Sequence, residues 1–193
     1  MAQASSEAPP TVVIQATRGL SALQLGALWE YRELLYFMVW RDVKVRYKQT
    51  ALGVLWVILQ PLLSTLVFTV IFGILLDVPS NGLPYPIFAY AGLLPWQYFA
   101  GSLTRTSTNL VDNANLITKV YFPRLTIPLS GVLSGLVDFA VGFVLLAVLL
   151  AVYRVPLTPA VLLLPFFLLS AMITALGFGL WLSALNVRYR DIK

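Results

Sequence analysis

Asp138 is a lone carboxylate set deep in an apolar stretch, Leu125 to Tyr153. A charge at the centre of a bilayer costs about 2.5–3.5 kcal/mol on insertion scales, so it must face protein or water. Gly131, Gly135, Asp138 and Gly142 recur at helical spacing and share one face. Small residues there let a second backbone approach closely. Two readings of Asp138 stand: a pathway or gating carboxylate, or a hydrogen-bonded structural residue inside a helix pair. Arg105 is the basic residue nearest to it in depth, but it lies close to the end of its own apolar segment. At about 1.5 Å per residue the two depths differ by roughly 15 Å, which predicts no direct pair within one subunit.

Arg41, Lys44, Arg46 and Lys48 form a second cluster, just after the aromatic run Leu34 to Trp40. Each basic residue near an anionic leaflet contributes about 1 kcal/mol of attraction. The four read either as a basic elbow before the first span or as a cytoplasmic entrance for an anionic substrate. A third group is aromatic: Tyr85, Tyr90, Trp96 and Tyr98, interleaved with Pro84, Pro86 and Pro95. Such rings stack on sugar C–H faces and line a pathway or outer mouth; they equally make an interfacial belt.

Other chemistry is excluded by composition. The 193 residues include no Cys and no His. Disulfides, most transition-metal sites, thiol nucleophiles and the commonest general base are therefore absent. No G-x-x-x-x-G-K-[ST] run occurs, so no P-loop is present to hold ATP. No nucleophile elbow or zinc-protease motif occurs either. We assign no catalytic residue, no metal ligand and no cofactor to this chain.

The elements that position these residues are membrane helices. Hydrophobic residues make up 59% and charged residues 11%, against about 45–50% and 25% in soluble domains. Four spans are predicted, at about 51–76, 86–107, 125–153 and 160–185, giving an all-α polytopic helical bundle. The second is the least apolar and so lines something. Pro61 removes a backbone hydrogen bond and is expected to kink the first span near Gln60. The fourth span carries its own small row, Ala171, Ala175, Gly179 and Ser183. The two small rows are expected to pack on each other or across a dimer.

The net charge of +5 follows from topology rather than from nucleic-acid binding. With the N-terminus in the cytoplasm, of 13 Lys and Arg only Arg154 falls on the outer side, as the positive-inside rule requires. Residues 1–19 read as a disordered cytoplasmic tail with no signal peptide. Leu20, Leu23, Ala27, Tyr31, Leu34 and Met38 recur every three or four residues. Residues 20–50 are therefore an amphipathic helix expected to lie in the interface plane, followed by the basic elbow.

The segment Asp112 to Arg124 reads Asp-Asn-Ala-Asn-Leu-Ile-Thr-Lys-Val-Tyr-Phe-Pro-Arg. Asn113 and Asn115 are able to cap a short helix, and Pro123 ends it. Such a helix is too short to stand alone and needs a partner surface. This segment resembles the ABC-2 family of transporter membrane subunits, in the branch exporting polysaccharide, O-antigen and teichoic-acid-type polymers. The stretches Trp40 to Gly53, Gln60-Pro61, Leu93 to Phe99 and Asn186 to Ile192 match it in place and order.

The resemblance implies a homodimeric permease in the bacterial inner membrane, moving a lipid-linked glycan through a channel at the dimer interface. It implies a separate P-loop ATPase subunit that holds ATP and Mg. It assigns docking on that subunit to Asn115, Leu116, Ile117, Lys119, Phe122, Pro123 and Arg124. It also implies six spans, so residues 51–193 read as a transmembrane domain whose last two spans are missing. The competing readings are a drug or lipid exporter of the same family, and a membrane enzyme or scaffold acting on lipid-linked sugars.

Overall fold

Proline, glycine and charge decide where this chain stops being helical. The computed structural model describes residues 25–48 and 53–188. Among them there are helices and no strands. The N-terminal tail, Leu20, Leu23, the side chains of Ala27 and Lys48, and the basic residues beyond Arg188 lie outside the described residues.

Two helices come first, α1 (Leu25–Glu30) and α2 (Arg32–Lys48). The next, α3 (Gly53–Phe68), contains Pro61 and passes into a π-helical stretch, Thr69–Leu75. Two hydroxyls brace the helix past the proline. Thr65 Oγ1 donates to the Pro61 carbonyl at 2.8 Å, and Thr69 Oγ1 to the Thr65 carbonyl at 2.7 Å. Gly73 lies in the π-helical stretch, where a Cβ would stand 2.7 Å from the Tyr85 ring. The chain then reverses through Asn81 and Gly82, both at positive φ, where glycine carries no Cβ penalty.

Pro84 caps α4 (Tyr85–Asp112), and the short α5 (Ala114–Lys119) follows at once. Asn113 Nδ2 donates to the Asn109 carbonyl at 2.9 Å. It therefore closes the end of α4 and makes no side-chain cap at the start of α5, contrary to the expected N-cap. Pro123 precedes α6 (Thr126–Val152), and a 3₁₀ turn (Pro159–Leu163) leads into α7 (Leu164–Arg188).

Three helical segments are long and apolar enough to cross a membrane: Leu55–Leu75, Thr126–Val152 and Pro159–Arg188. These are the first, third and fourth predicted spans. The second, α4, has the length, 28 residues, but its Tyr, Gln, Ser, Thr and Arg dilute its hydropathy. It also runs five residues beyond its predicted end, because no Gly or Pro breaks it before Asn113.

The polar helix is the central one. α4 packs on α6 on one side and α7 on the other, while α6 and α7 touch each other much less. Its buried row Ile87, Tyr90, Leu94, Tyr98, Ser102 and Thr106 follows the helical repeat. Many apolar side chains of α3 and α7 point outward instead, among them Leu66, Phe166, Phe167, Phe178 and Trp181. So large an uncovered apolar surface is unsuited to water and suited to lipid.

The apolar stripe of the expected interfacial helix, Tyr31, Leu34 and Met38, packs on Leu116, Ile117, Phe122 and Ile127. Met38 is buried there. Eight residues on, Arg46 reaches Asp138, which lies eleven residues beyond Ile127. α2 therefore runs alongside the first half of α6. The aromatic residues that stay exposed are Trp29, Tyr36, Phe37 and Trp40, which suit a lipid headgroup region.

Candidate functional site

α6 carries Asp138 on the face predicted from spacing, and three helices meet around it. Arg46 of α2 forms an ion pair with Asp138 Oδ2, and the Tyr47 hydroxyl donates to Oδ1 at 3.0 Å. Arg105 of α4 stands 3.6 Å from the same Oδ2. The Arg46 and Asp138 side chains are each 27% exposed, so the pair is half-buried rather than sealed. Burial first, then the Asp138 charge and hydrogen bond, push the Tyr47 hydroxyl up to about 12. Tyr47 is therefore a protonated donor at neutral pH.

The Arg105–Asp138 pair corrects the depth argument. α4 and α6 are antiparallel, as the contacts Asn109–Ile127, Arg105–Gly131 and Tyr90–Gly142 show. Because α4 runs on to Asp112, Arg105 lies seven residues inside its end. Asp138 lies twelve residues inside α6. With Arg105 level with Gly131, the mismatch is about seven residues or about 10.5 Å, within the combined reach of an arginine and an aspartate side chain. Arg105 also donates through Nε to the Gly131 carbonyl at 3.1 Å and through Nη2 to Ser102 Oγ at 3.4 Å.

The small rows do not pack on each other. Both receive α4. A Cβ on Gly131 would stand 2.6 Å from Asn109 Nδ2, one on Gly135 would overlap the Arg105 guanidinium, and one on Gly142 would overlap Leu94. On α7, a Cβ on Gly179 would stand 2.6 Å from Thr106 Cβ. Ala175 and Ser183 are buried on the same face, and Ala171 packs at the edge of the core. Asn186 Nδ2 donates to the Ser107 carbonyl at 3.1 Å. Of the two expectations, packing on each other or across a dimer, the first gives way because a polar helix lies between the rows and satisfies both.

A cavity of about 850 Å³ opens beside the ion cluster, between α3, α4 and α6. Arg46, Arg105 and Asp138 lie on its wall with Gln60, Trp56 and Trp96. Two guanidinium groups face one carboxylate there. Of the aromatic candidates, Trp96 is exposed at this cavity, and Tyr98 also borders it while buried against Phe139. Tyr90 is buried: it is 1% exposed, and its hydroxyl donates to the Gly142 carbonyl at 2.9 Å. Tyr85 packs on Phe88 and Gly73, away from the ion cluster.

The basic elbow is not one patch. Arg41 pairs with Asp42 at 2.8 Å, Lys44 stands 4.1 Å from the centre of the Trp40 ring, and Arg46 turns inward to Asp138. The segment from Asn115 to Arg124 divides as well. Phe122 and Pro123 are buried, and Leu116 and Ile117 are half-buried against α2. Asn115, Lys119 and Arg124 remain exposed, together with Tyr121, which is 71% exposed. A smaller cavity of about 330 Å³ lies among Ile117, Lys119, Tyr121 and Arg124.

Sequence reasoning missed Tyr47, Thr106, Asn109 and Tyr121. The polar positions spaced by four in α4, Tyr98, Ser102 and Thr106, were a usable signal for its buried face. Nothing local announced Tyr47.

Residues 33–193 match the ABC-2 type transporter family. The chain is 34% identical over 168 residues to the O-antigen export system permease protein RfbA of Myxococcus xanthus, covering 86% of this chain and 63% of that protein. It is 35% identical over 172 residues to the protein of the same name in Klebsiella pneumoniae, covering 88% and 64%. Similarity to the polysialic acid transport protein KpsM of Escherichia coli is 28% over 109 residues, covering 56% and 42%. The chain thus spans a little under two thirds of the length of the O-antigen permeases it matches. Its apolar helices, their order and this match place the chain in the ABC-2 family of transporter membrane domains.

Proposed function

We infer that this chain is the membrane-spanning part of a permease that exports lipid-linked polysaccharide. The observation that carries the reading is the likeness to O-antigen export permeases across most of the chain. The bundle supports it, with lipid-facing apolar helices around a polar central one. In this reading α5 and the start of α2 lie on the cytoplasmic side of the inner membrane. The exposed Asn115, Lys119, Tyr121 and Arg124 dock on a separate ATPase subunit, which holds ATP and Mg. Two copies of the permease flank the conduit. The charged, Trp-lined cavity suits a sugar polymer carried on an anionic lipid.

The test is deletion of the gene in its source organism. The surface polymer is expected to disappear while lipid-linked polymer collects inside, protected from added glycosidase. Complementation with the intact gene restores display. Unchanged surface polymer in the deletion strain overturns the reading.

A further inference from the structure

α2 touches two places that the rest of the bundle keeps apart. Through Met38 it packs on Phe122 and Ile127, beside Leu116 and Ile117 of α5. Through Arg46 and Tyr47 it holds Asp138 on the cavity wall. Between these contacts the helix contains no Gly and no Pro. Nothing in it bends readily, so a push on the α5 segment reaches Asp138 as motion of one rod.

The charges around Asp138 suit such motion. A half-buried carboxylate that loses its only counterion is left unpaired, which is strongly unfavourable. Asp138 has two counterions from two helices. Arg46 closes on it now, while Arg105 waits at 3.6 Å. Arg105 is itself tied to Gly131 and Ser102 and stays with the α4–α6 pair. If α2 withdraws, Arg105 closes on Asp138 and no charge is stranded.

We propose that Arg46, Asp138 and Arg105 form an exchangeable ion latch that couples the α5 docking segment to the cavity. Asp138 passes from Arg46 to Arg105 as α2 slides along α6. The latch residues are positioning residues, and the proposal rests on the permease reading above.

The test uses the full-length permease assembled with its ATPase in native membranes. Arg46→Gln is expected to keep the amount of assembled complex within about twofold, since Arg105 still neutralises Asp138. Export of glycan is expected to fall at least about tenfold, a loss of coupling rather than of folding. Arg46→Lys keeps a cation and is expected to restore most of the export. A direct readout uses spin labels at Val45→Cys and Val137→Cys, exposed neighbours of the latch, with any other cysteine of the full-length permease replaced by serine. Their separation is expected to change between nucleotide-free and ATP-bound complexes.

An unchanged separation, or Arg46→Gln exporting like the parent, overturns the latch. Hydrolysis and export falling in parallel with the amount of assembled protein overturns it too, since that marks a purely structural role. A parent chain that neither binds an ATPase nor exports glycan overturns the permease reading, and the latch with it.

Discussion

One side of α6 meets α4 through glycines and backbone carbonyls; another meets α2 through a methionine and an ion pair. Against α4 the contact is close. Gly131, Gly135 and Gly142 admit side chains that would collide with any Cβ, and tyrosine, arginine and asparagine donors end on carbonyls of α6. Against α2 the contact is a small apolar patch at one end and a half-buried charge cluster at the other. Interdigitated packing holds a single geometry, because any displacement opens voids or forces overlap. An ion pair with a spare counterion permits two geometries. The contrast divides the molecule into a fixed slab, α4 with α6 and α7, and a lighter attachment, α2 with α5.

Breaking the slab is expected to have the largest effect. Gly142→Leu places a side chain where even a Cβ overlaps Leu94, and overpacking of this kind costs about 3 kcal/mol. Thermal unfolding in detergent is expected to show a large drop, with partial recovery when Leu94→Ala is added. No recovery would mean that the contact between these helices is not what limits stability.

Asp138→Asn attacks the attachment. It leaves Arg46 and Arg105 facing each other without a carboxylate. Full burial would make this cost about 3–5 kcal/mol; with the pair 27% exposed, about 2 kcal/mol is expected. Proteolysis of native membranes is the measurement, because α2 is expected to become sensitive before the slab. Equal sensitivity of both would erase the distinction between the two regions.

Lys119→Glu acts on the surface alone. Both Lys119 and Arg124 are exposed, and reversing a rim charge mainly alters association and salt dependence. Binding of the ATPase subunit is expected to weaken about tenfold at low salt and less at high salt, with unchanged thermal stability. Binding that ignores this substitution places the docking surface elsewhere.

Tyr47→Phe is expected to have the smallest effect, about 1 kcal/mol for one lost hydrogen bond. The Tyr47 pKa is raised to about 12, above the free value of about 10. Its contribution is therefore whole below pH 10 and is lost as the pH rises through about 12. The difference in stability between parent and variant is expected to stay flat from pH 7 to 9. A difference that varies in that window would mean that Tyr47 titrates earlier and that Asp138 is not its partner.

Much of this architecture is legible without coordinates, because it is local. Prolines and glycines mark the ends of the helices, uncharged runs mark the spans, and spacing puts Gly131, Gly135, Asp138 and Gly142 on one face. Helix α4 shows how far that reaches. Its polarity marked it as lining something, yet its extra turns beyond residue 107 moved Arg105 inward and brought Asp138 within range. Met38 shows the limit from the other direction. Its stripe was legible, but an apolar stripe looks the same whether it meets lipid or protein.

Sequence alone was enough for an all-α membrane protein, its small-residue faces and the family to which it belongs. These depend on hydropathy, periodicity and backbone chemistry within a few residues. Only the tertiary structure decided what each face meets: α4 between the two small rows, α2 along α6, and two arginines from different helices on one carboxylate. Pairing depends on the order of helices in space, their depth relative to one another and the reach of a long side chain. None of these is encoded in the spacing along a single helix.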